Sequence, residues 1–214
     1  MSAAKRTPRD ERRRSLGQNF LRPELADQLV AHAAYAPGDL VVEIGAGRGV
    51  CTMALARRGV DVVALENDPR WADALRREVV RTGLEDRVHV VCCDARRYRM
   101  PRRPFRAFGS LPFGATTSIL RHLLDDPSSA LVRADFVVQF AVARKRSATP
   151  PTTLLSTMWA PWWSFEMGRR IPAGAFRPVP SVDAAVLRVS RRVPPLLPPR
   201  MATAYASFVQ REWK

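Results

Sequence analysis

In Val41-Val42-Glu43-Ile44-Gly45-Ala46-Gly47-Arg48-Gly49 an apolar, β-branched run ends in a glycine-rich turn, and a helical pattern follows. The glycines let the backbone turn tightly and approach a ligand closely, and the following helix start offers unpaired N–H groups. A GxGxG pattern alone also fits a purely structural turn in an α/β domain. A second apolar run, Val62-Val63-Ala64-Leu65, closes on Glu66, 21 residues past Gly45. At that spacing in a Rossmann-type sheet an acidic side chain meets a pair of ribose hydroxyls. The glycines are not GxGxxG, and no Lys-Ser/Thr follows as in a P-loop. The pattern therefore suits a nucleoside-containing cofactor, S-adenosylmethionine ahead of NAD.

Outward from this stretch, strand and helix patterns alternate. Strands are expected near 40–44, 61–66, 87–93, 106–110 and 134–140, and helices near 23–34, 49–58, 69–82 and 115–124. Gly59 ends one helix and Pro69 starts the next. Such alternation predicts a parallel sheet with helices on both faces. After residue 150 the pattern changes. Trp162–Met167 and Asp183–Val189 read as strands with a proline-rich stretch between them, which predicts an antiparallel pair at the sheet edge. Trp162 and Trp163 alternate faces, so at least one belongs in the core. Pro194-Pro195 and Pro198-Pro199 mark a linker, and Met201–Trp213 reads as one helix, either packed on the sheet domain or opening a further region.

The 214 residues fit one domain of ordinary size plus a small appendage. A net charge of +15, carried mostly by arginine, calls for a polyanionic partner, nucleic acid before an anionic membrane. Lys5, Arg6, Arg9, Arg12, Arg13 and Arg14 outweigh Asp10 and Glu11 in a basic N-terminal arm. A solvated tail and an RNA-touching tail both fit that arm. The three cysteines, Cys92 and Cys93 adjacent among them, give no disulfide framework and no zinc spacing, and read as reduced, buried strand residues of a cytosolic protein. No metal site is expected from the three scattered histidines. No apolar run is long enough for a membrane span.

Gly17-Gln18-Asn19-Phe20-Leu21, the glycine turn with Glu66, Gly109-Ser110-Leu111-Pro112-Phe113, and Phe176-Arg177-Pro178-Val179-Pro180-Ser181-Val182-Asp183 together resemble the rRNA adenine N6-methyltransferases. The likeness covers residues 15 to 210. Gln139–Arg146 and Trp159–Arg170 look more like the erythromycin-resistance (Erm) branch than the housekeeping small-subunit branch. The resemblance implies an α/β, Rossmann-like S-adenosylmethionine-dependent methyltransferase fold with a mostly parallel seven-stranded sheet. Its expected division is an arm over 1–14, a methyltransferase domain over 15–192, and over 193–214 a linker and the first helix of a truncated C-terminal helical domain.

Carried over residue by residue, the resemblance implies a cofactor set of Gln18, Asn19, Leu21, Glu43, Gly45, Gly47, Glu66, Asp94, Ala95 and Ser110. Within it Gln18, Asn19 and Leu21 line the N-terminal side, and Gly45 and Gly47 admit the methionine part. Glu66 accepts from the ribose hydroxyls, and Asp94 from the adenine amine. Ser110, Leu111, Pro112 and Phe113 form the catalytic loop, and Phe176 stacks on the flipped target base. Arg144, Lys145, Arg146, Arg169, Arg170 and Arg177 hold RNA phosphates, although a solvated face fits the 144–146 run equally well. Ser110 stands where the family usually has asparagine. The expected activity is N6-methylation of an adenine in 23S rRNA by a monomeric cytoplasmic enzyme, conferring macrolide-type resistance. Small-subunit rRNA is the alternative substrate. A catalytically impaired rRNA-binding or assembly factor is the alternative of another class.

Overall fold

A computed structural model describes residues 20–213; the basic arm expected over 1–14 lies outside the described residues. The described chain opens with a two-residue strand, β1 (Phe20–Leu21), and helix α1 (Pro23–Ala33). Strand β2 (Leu40–Ile44) leads through the glycine turn to α2 (Val50–Ala56), and β3 (Asp61–Glu66) leads to α3 (Pro69–Arg81). Strand β4 (Val88–Cys92) is joined by an arginine-rich loop to β5 (Phe105–Ser110), followed by α4 (Thr116–Leu124) and β6 (Leu131–Gln139). Then come α5 (Phe140–Arg146), α6 (Leu154–Trp159), β7 (Trp163–Ile171), β8 (Phe176–Arg177), β9 (Ala184–Arg191) and α7 (Ala202–Glu212).

Seven strands form one sheet in the order β4-β3-β2-β5-β6-β9-β7. The first five run parallel, and β9 and β7 are antiparallel additions at one edge. This is the expected mostly parallel seven-stranded sheet with its late antiparallel pair. Every residue of β2 is buried, as a central strand covered on both faces must be. Val41, Val62 and Val90 face a core filled by α1, α2 and α3. Val42, Leu65 and Phe136 face a second core under α4, α5 and α6, so helices cover both faces.

Local differences from the sequence expectation are few: of the cysteines expected to be buried, Cys51 is, whereas Cys93 is partly exposed and Cys92, at the end of edge strand β4, is exposed. Strand β6 starts three residues before the expected 134, and Phe140 opens a helix instead of closing the strand. Trp162 and Trp163 are both buried, as is Trp159, and each indole N–H has an acceptor. Trp159 donates to Asp125, Trp162 to the Leu197 carbonyl and Trp163 to the Leu124 carbonyl. These bonds offset the desolvation of a buried polar indole. The terminal helix packs on this layer: Tyr205 meets the Trp162 ring edge-on at 5.9 Å and donates to the Thr157 carbonyl.

Candidate active site

A cavity of about 950 Å³ opens where the parallel strands end. This is the side on which open α/β sheets bind ligands. Its floor is the β2 end and glycine turn, its walls are the ends of β3, β4 and β5, and its rim is Phe20, Leu21 and Pro178 to Ser181. The turn is tied down: the Gly45 and Ala46 N–H groups both donate to the Leu65 carbonyl, at 2.9 and 3.0 Å. Gly47 has φ +55°, and a Cβ there would lie 2.8 Å from the Phe20 ring. Glycine is required on both counts.

Glu66 is buried at 7 % exposure and each carboxylate oxygen takes one backbone N–H: Gly47 to Oε2 at 2.7 Å and Asp68 to Oε1 at 2.8 Å. Burial raises its pKa, and these bonds hold it partly back. Glu66 lines the cavity, and a carboxylate can accept more hydrogen bonds than these two. Glu43, 2 % exposed, accepts from the Thr52 hydroxyl at 2.5 Å. Burial pushes its carboxyl up to about 8 against that bond, and the neighbouring Glu66 charge pushes the same way. Asp94 is gripped by Arg96, whose Nε reaches both oxygens at 2.9 and 3.0 Å. That grip holds the carboxyl down at about 2, so it stays an acceptor throughout the physiological range.

The structure brings together most of the residues expected for the cofactor. Leu21, Glu43, Gly45, Gly47, Glu66, Asp94, Ala95 and Ser110 all line the one cavity, and Pro112 and Phe113 line it beside them. Gln18 and Asn19 lie outside the described residues. Leu111 turns its side chain into the core at 2 % exposure, while its N–H donates to the Val137 carbonyl.

Phe176 corrects the expectation. It is fully buried, because β8 pairs antiparallel with β1 and sets Phe176 opposite Leu21. Its ring packs in the core below the rim and is not presented for stacking; Pro178 to Ser181 of the same motif reach the cavity instead. Asp183 closes that loop by accepting from the Ala173 N–H at 2.9 Å and from Arg170 at 2.7 Å.

The expected RNA cations divide. Arg144 and Lys145 are exposed. Arg146 is the second correction: it donates to Thr153 at 2.8 Å and lies 5.4 Å over the Trp159 ring, half-buried, with a pKa lowered by burial. Arg169 donates to Gln28, Arg170 to Asp183, and Arg177 to the Gly174 and Phe176 carbonyls.

Sequence reasoning assigned no role to Arg48, whose guanidinium sits 5.1 Å from both the Phe20 and Trp71 rings at the cavity edge. It also missed Thr52 and Arg96, which hold the two carboxyls. The short Asp94-x-Arg96 spacing was a signal that could have found the second. Among the described residues no group of three or more His, Cys, Asp or Glu could hold a metal ion, and no helix is long and apolar enough to cross a membrane.

The model of the family described as ribosomal RNA adenine dimethylase matches residues 9–213. A Streptomyces thermotolerans protein named rRNA methyltransferase is 39% identical over 208 residues, covering 96% of this chain and 68% of the relative. The mycinamicin-resistance protein MyrB of Micromonospora griseorubida is 36% identical, covering 95% of this chain and 64% of its own length. The chain thus spans about two thirds of each. Among solved structures, the 23S rRNA methyltransferase ErmE aligns with a TM-score of 0.79 at 33% identity, covering 90% of this chain and 78% of that one. With its glycine turn, buried Glu66 and Ser110–Phe113 loop around one cavity, the chain belongs to the ribosomal RNA adenine dimethylase family.

Proposed function

We propose that this protein transfers methyl groups from S-adenosylmethionine to N6 of an adenine in 23S rRNA, and thereby protects ribosomes from macrolide-type antibiotics. One observation carries the reading: Ser110, Pro112 and Phe113 open onto the same cavity as the glycine turn, Glu66 and Asp94. Relatives named for 23S rRNA methylation and for mycinamicin resistance support the substrate and the outcome. The working compartment is then the cytoplasm.

The cavity fits the cofactor. It is large enough for an adenosyl group with a methionine arm, and its glycine floor is closed to a Cβ at Gly47. Glu66 offers its remaining lone pairs to the ribose hydroxyls, Asp94 is an ionised acceptor for the adenine amine, and Glu43 flanks the methionine arm. When bound, the cofactor supplies an electrophilic methyl on a sulfonium.

The remaining task belongs to the β5 loop. An adenine amine is a poor nucleophile because its lone pair is delocalised into the ring. No group titrating near neutrality is needed. The enzyme accepts the amine N–H hydrogens, turns the lone pair out of conjugation and holds nitrogen about 3 Å from the methyl, in line for displacement. The Ser110 hydroxyl and the Leu111 carbonyl are the acceptors in this reading. Pro112 has no N–H to compete with the amine. Phe113, half-exposed on the cavity wall, takes one face of the extruded base, and the Pro178–Ser181 rim closes on the other. With the cofactor bound, the N–C bond would form as the methyl's bond to sulfur breaks, leaving a neutral thioether, and the proton lost from the amine would pass to solvent water.

The test is transfer from labelled cofactor to total rRNA, with the modified nucleoside located by mass spectrometry. Methylated adenine in 23S rRNA is the expected product. Label confined to 16S rRNA would select the small-subunit reading. No transfer above background would leave an RNA-binding or assembly factor.

A further inference from the structure

The loop joining β4 to β5 begins at the cavity wall with Asp94, Ala95 and Arg96 and then carries Arg97, Arg99, Arg102 and Arg103, four arginines within seven residues. All four are exposed, and among the described residues none of their side chains makes a hydrogen bond or an ion pair. The nearest carboxylate in the loop, Asp94, is already taken by Arg96, and Arg97 adds only a weaker attraction to it. The loop is nonetheless firmly built. The Arg97 N–H donates to the Asp94 carbonyl at 2.9 Å, Tyr98 and Met100 pack against the core, and His122 Nε2 lies 2.8 Å from the Tyr98 carbonyl. Tyr98 and Met100 turn inward and Arg97 and Arg99 outward.

Like charges along one short loop, with no paired counter-charge, repel one another and oppose folding, a cost that a bound polyanion removes. This distinguishes the loop from Arg146, Arg169, Arg170 and Arg177, whose guanidiniums are occupied within the protein. The sheet order sets β4 at one edge and β5, with Ser110 at its end, next to β6, from which α5 carries Arg144 and Lys145. Arg97, next to the cavity-lining Arg96, and Arg144 with Lys145 therefore flank the Ser110 end of β5, while Arg102 and Arg103 lie toward its start, at the opposite end of the sheet.

We infer that Arg97, Arg99, Arg102 and Arg103 form a preformed phosphate-binding strip for the substrate RNA, which starts beside Asp94 at the cavity wall and descends along the β4–β5 loop toward the start of β5. The inference rests on the proposed function and adds where the RNA backbone runs: from Arg144 and Lys145 across the cavity to Arg97, and from there down the β4–β5 loop. Because the loop is held in place before RNA arrives, little ordering cost attaches to its binding. RNA recognised by splaying out a base needs its flanking phosphates held on both sides of that base.

The test compares the wild type with the R97Q/R99Q/R102Q/R103Q variant, leaving Arg96 in place because it holds Asp94. Binding of a 23S rRNA fragment is measured as a function of salt, with cofactor affinity and melting temperature as controls. The expected variant binds RNA about tenfold more weakly at moderate salt, and its salt dependence is shallower by about 0.7–0.9 for each phosphate it no longer neutralises. Its cofactor affinity is unchanged, and its melting temperature is unchanged or raised as repulsion is relieved. An unchanged salt slope would overturn the inference. So would a lowered melting temperature with unchanged RNA binding, which would make the arginines structural. Loss of binding to anionic phospholipid vesicles with RNA binding intact would also overturn it, pointing to a membrane instead. Failure of the wild type to methylate rRNA would count against the proposed function itself, and is read in a separate assay.

Discussion

The two sides of the cavity are built differently. On the side proposed to hold the cofactor, the carboxyls of Glu43, Glu66 and Asp94 are each fixed by Thr52, by backbone N–H groups or by Arg96. Two of the three are buried. On the side proposed to meet RNA, Phe113 is half-exposed, Val179 is 52% exposed, and Arg144 and Lys145 stand in solvent. A small, invariant ligand rewards a rigid, desolvated site, because its ordering costs are met at folding. A large polyanion is met by exposed charge, which acts through counterion release and needs no burial. The cofactor side should therefore respond to pH and ignore salt, and the RNA side should do the reverse.

The largest expected effect concerns Glu43. Its folded-state value of about 8 lies above the ordinary carboxylate value of 4.5, so the folded protein binds the extra proton between those limits. Stability is full below the lower limit and declines as pH rises through the upper one, by up to about 1.4 kcal/mol per pH unit. Glu66 is shifted in the same direction, whereas Asp94 and Asp183 are lowered and act only in acid. Calorimetric melting from pH 5 to 9 should show the wild type losing stability relative to Glu43→Gln. Parallel curves would mean that Glu43 is ionised throughout.

Next in size is Glu66→Ala. Loss of charge-assisted hydrogen bonds should weaken cofactor binding by about 1–3 kcal/mol, and the orphaned Gly47 and Asp68 N–H groups should lower the melting temperature as well. Titration calorimetry showing wild-type affinity would take Glu66 out of the site. Across the cavity, Arg144→Glu with Lys145→Glu should flatten the salt dependence of RNA binding by about 0.7–0.9 per phosphate released, without moving cofactor affinity. The smallest expected effect is that of Arg146→Ala. It should leave the salt slope alone and cost about 1 kcal/mol of folding stability, because the hydrogen bond to Thr153 and the packing on Trp159 are both removed. A shallower slope there would return Arg146 to the RNA surface.

What the sequence made legible follows the same division. The glycine turn and Glu66 could be read because both ends of the signal lie in one βαβ unit, where spacing along the chain determines position in space. The alternation of strand and helix gave the sheet for the same reason. Phe176 was misread because its burial depends on a two-residue ladder with β1, a pairing between distant segments that leaves no periodic trace. Arg146 was misread because its partners, Thr153 and Trp159, are the N-cap and the last residue of α6, too short to announce itself by pattern. Charge in a sequence shows where cations are, and only the fold shows which of them are already occupied.

Ser110 joins the two sides, since it lines the cavity and begins the loop proposed to hold the target amine. The most direct test is single-turnover methyl transfer to an RNA hairpin by the wild type and by Ser110→Asn, with cofactor affinity measured on both. An asparagine amide can accept from the amine while its own N–H groups are anchored, whereas the serine hydroxyl rotates. Removing a whole polar interaction from a water-excluded site costs on the order of 2.7–4 kcal/mol of barrier, and serine retains an oxygen, so about tenfold, or ~1.4 kcal/mol, is expected. The expected result is faster transfer by Ser110→Asn with cofactor affinity unchanged, because the gain is confined to the transition state. Equal or faster transfer by the serine protein would contradict this reading of the loop, and no transfer by either protein would contradict the assignment of methyl transfer to this cavity.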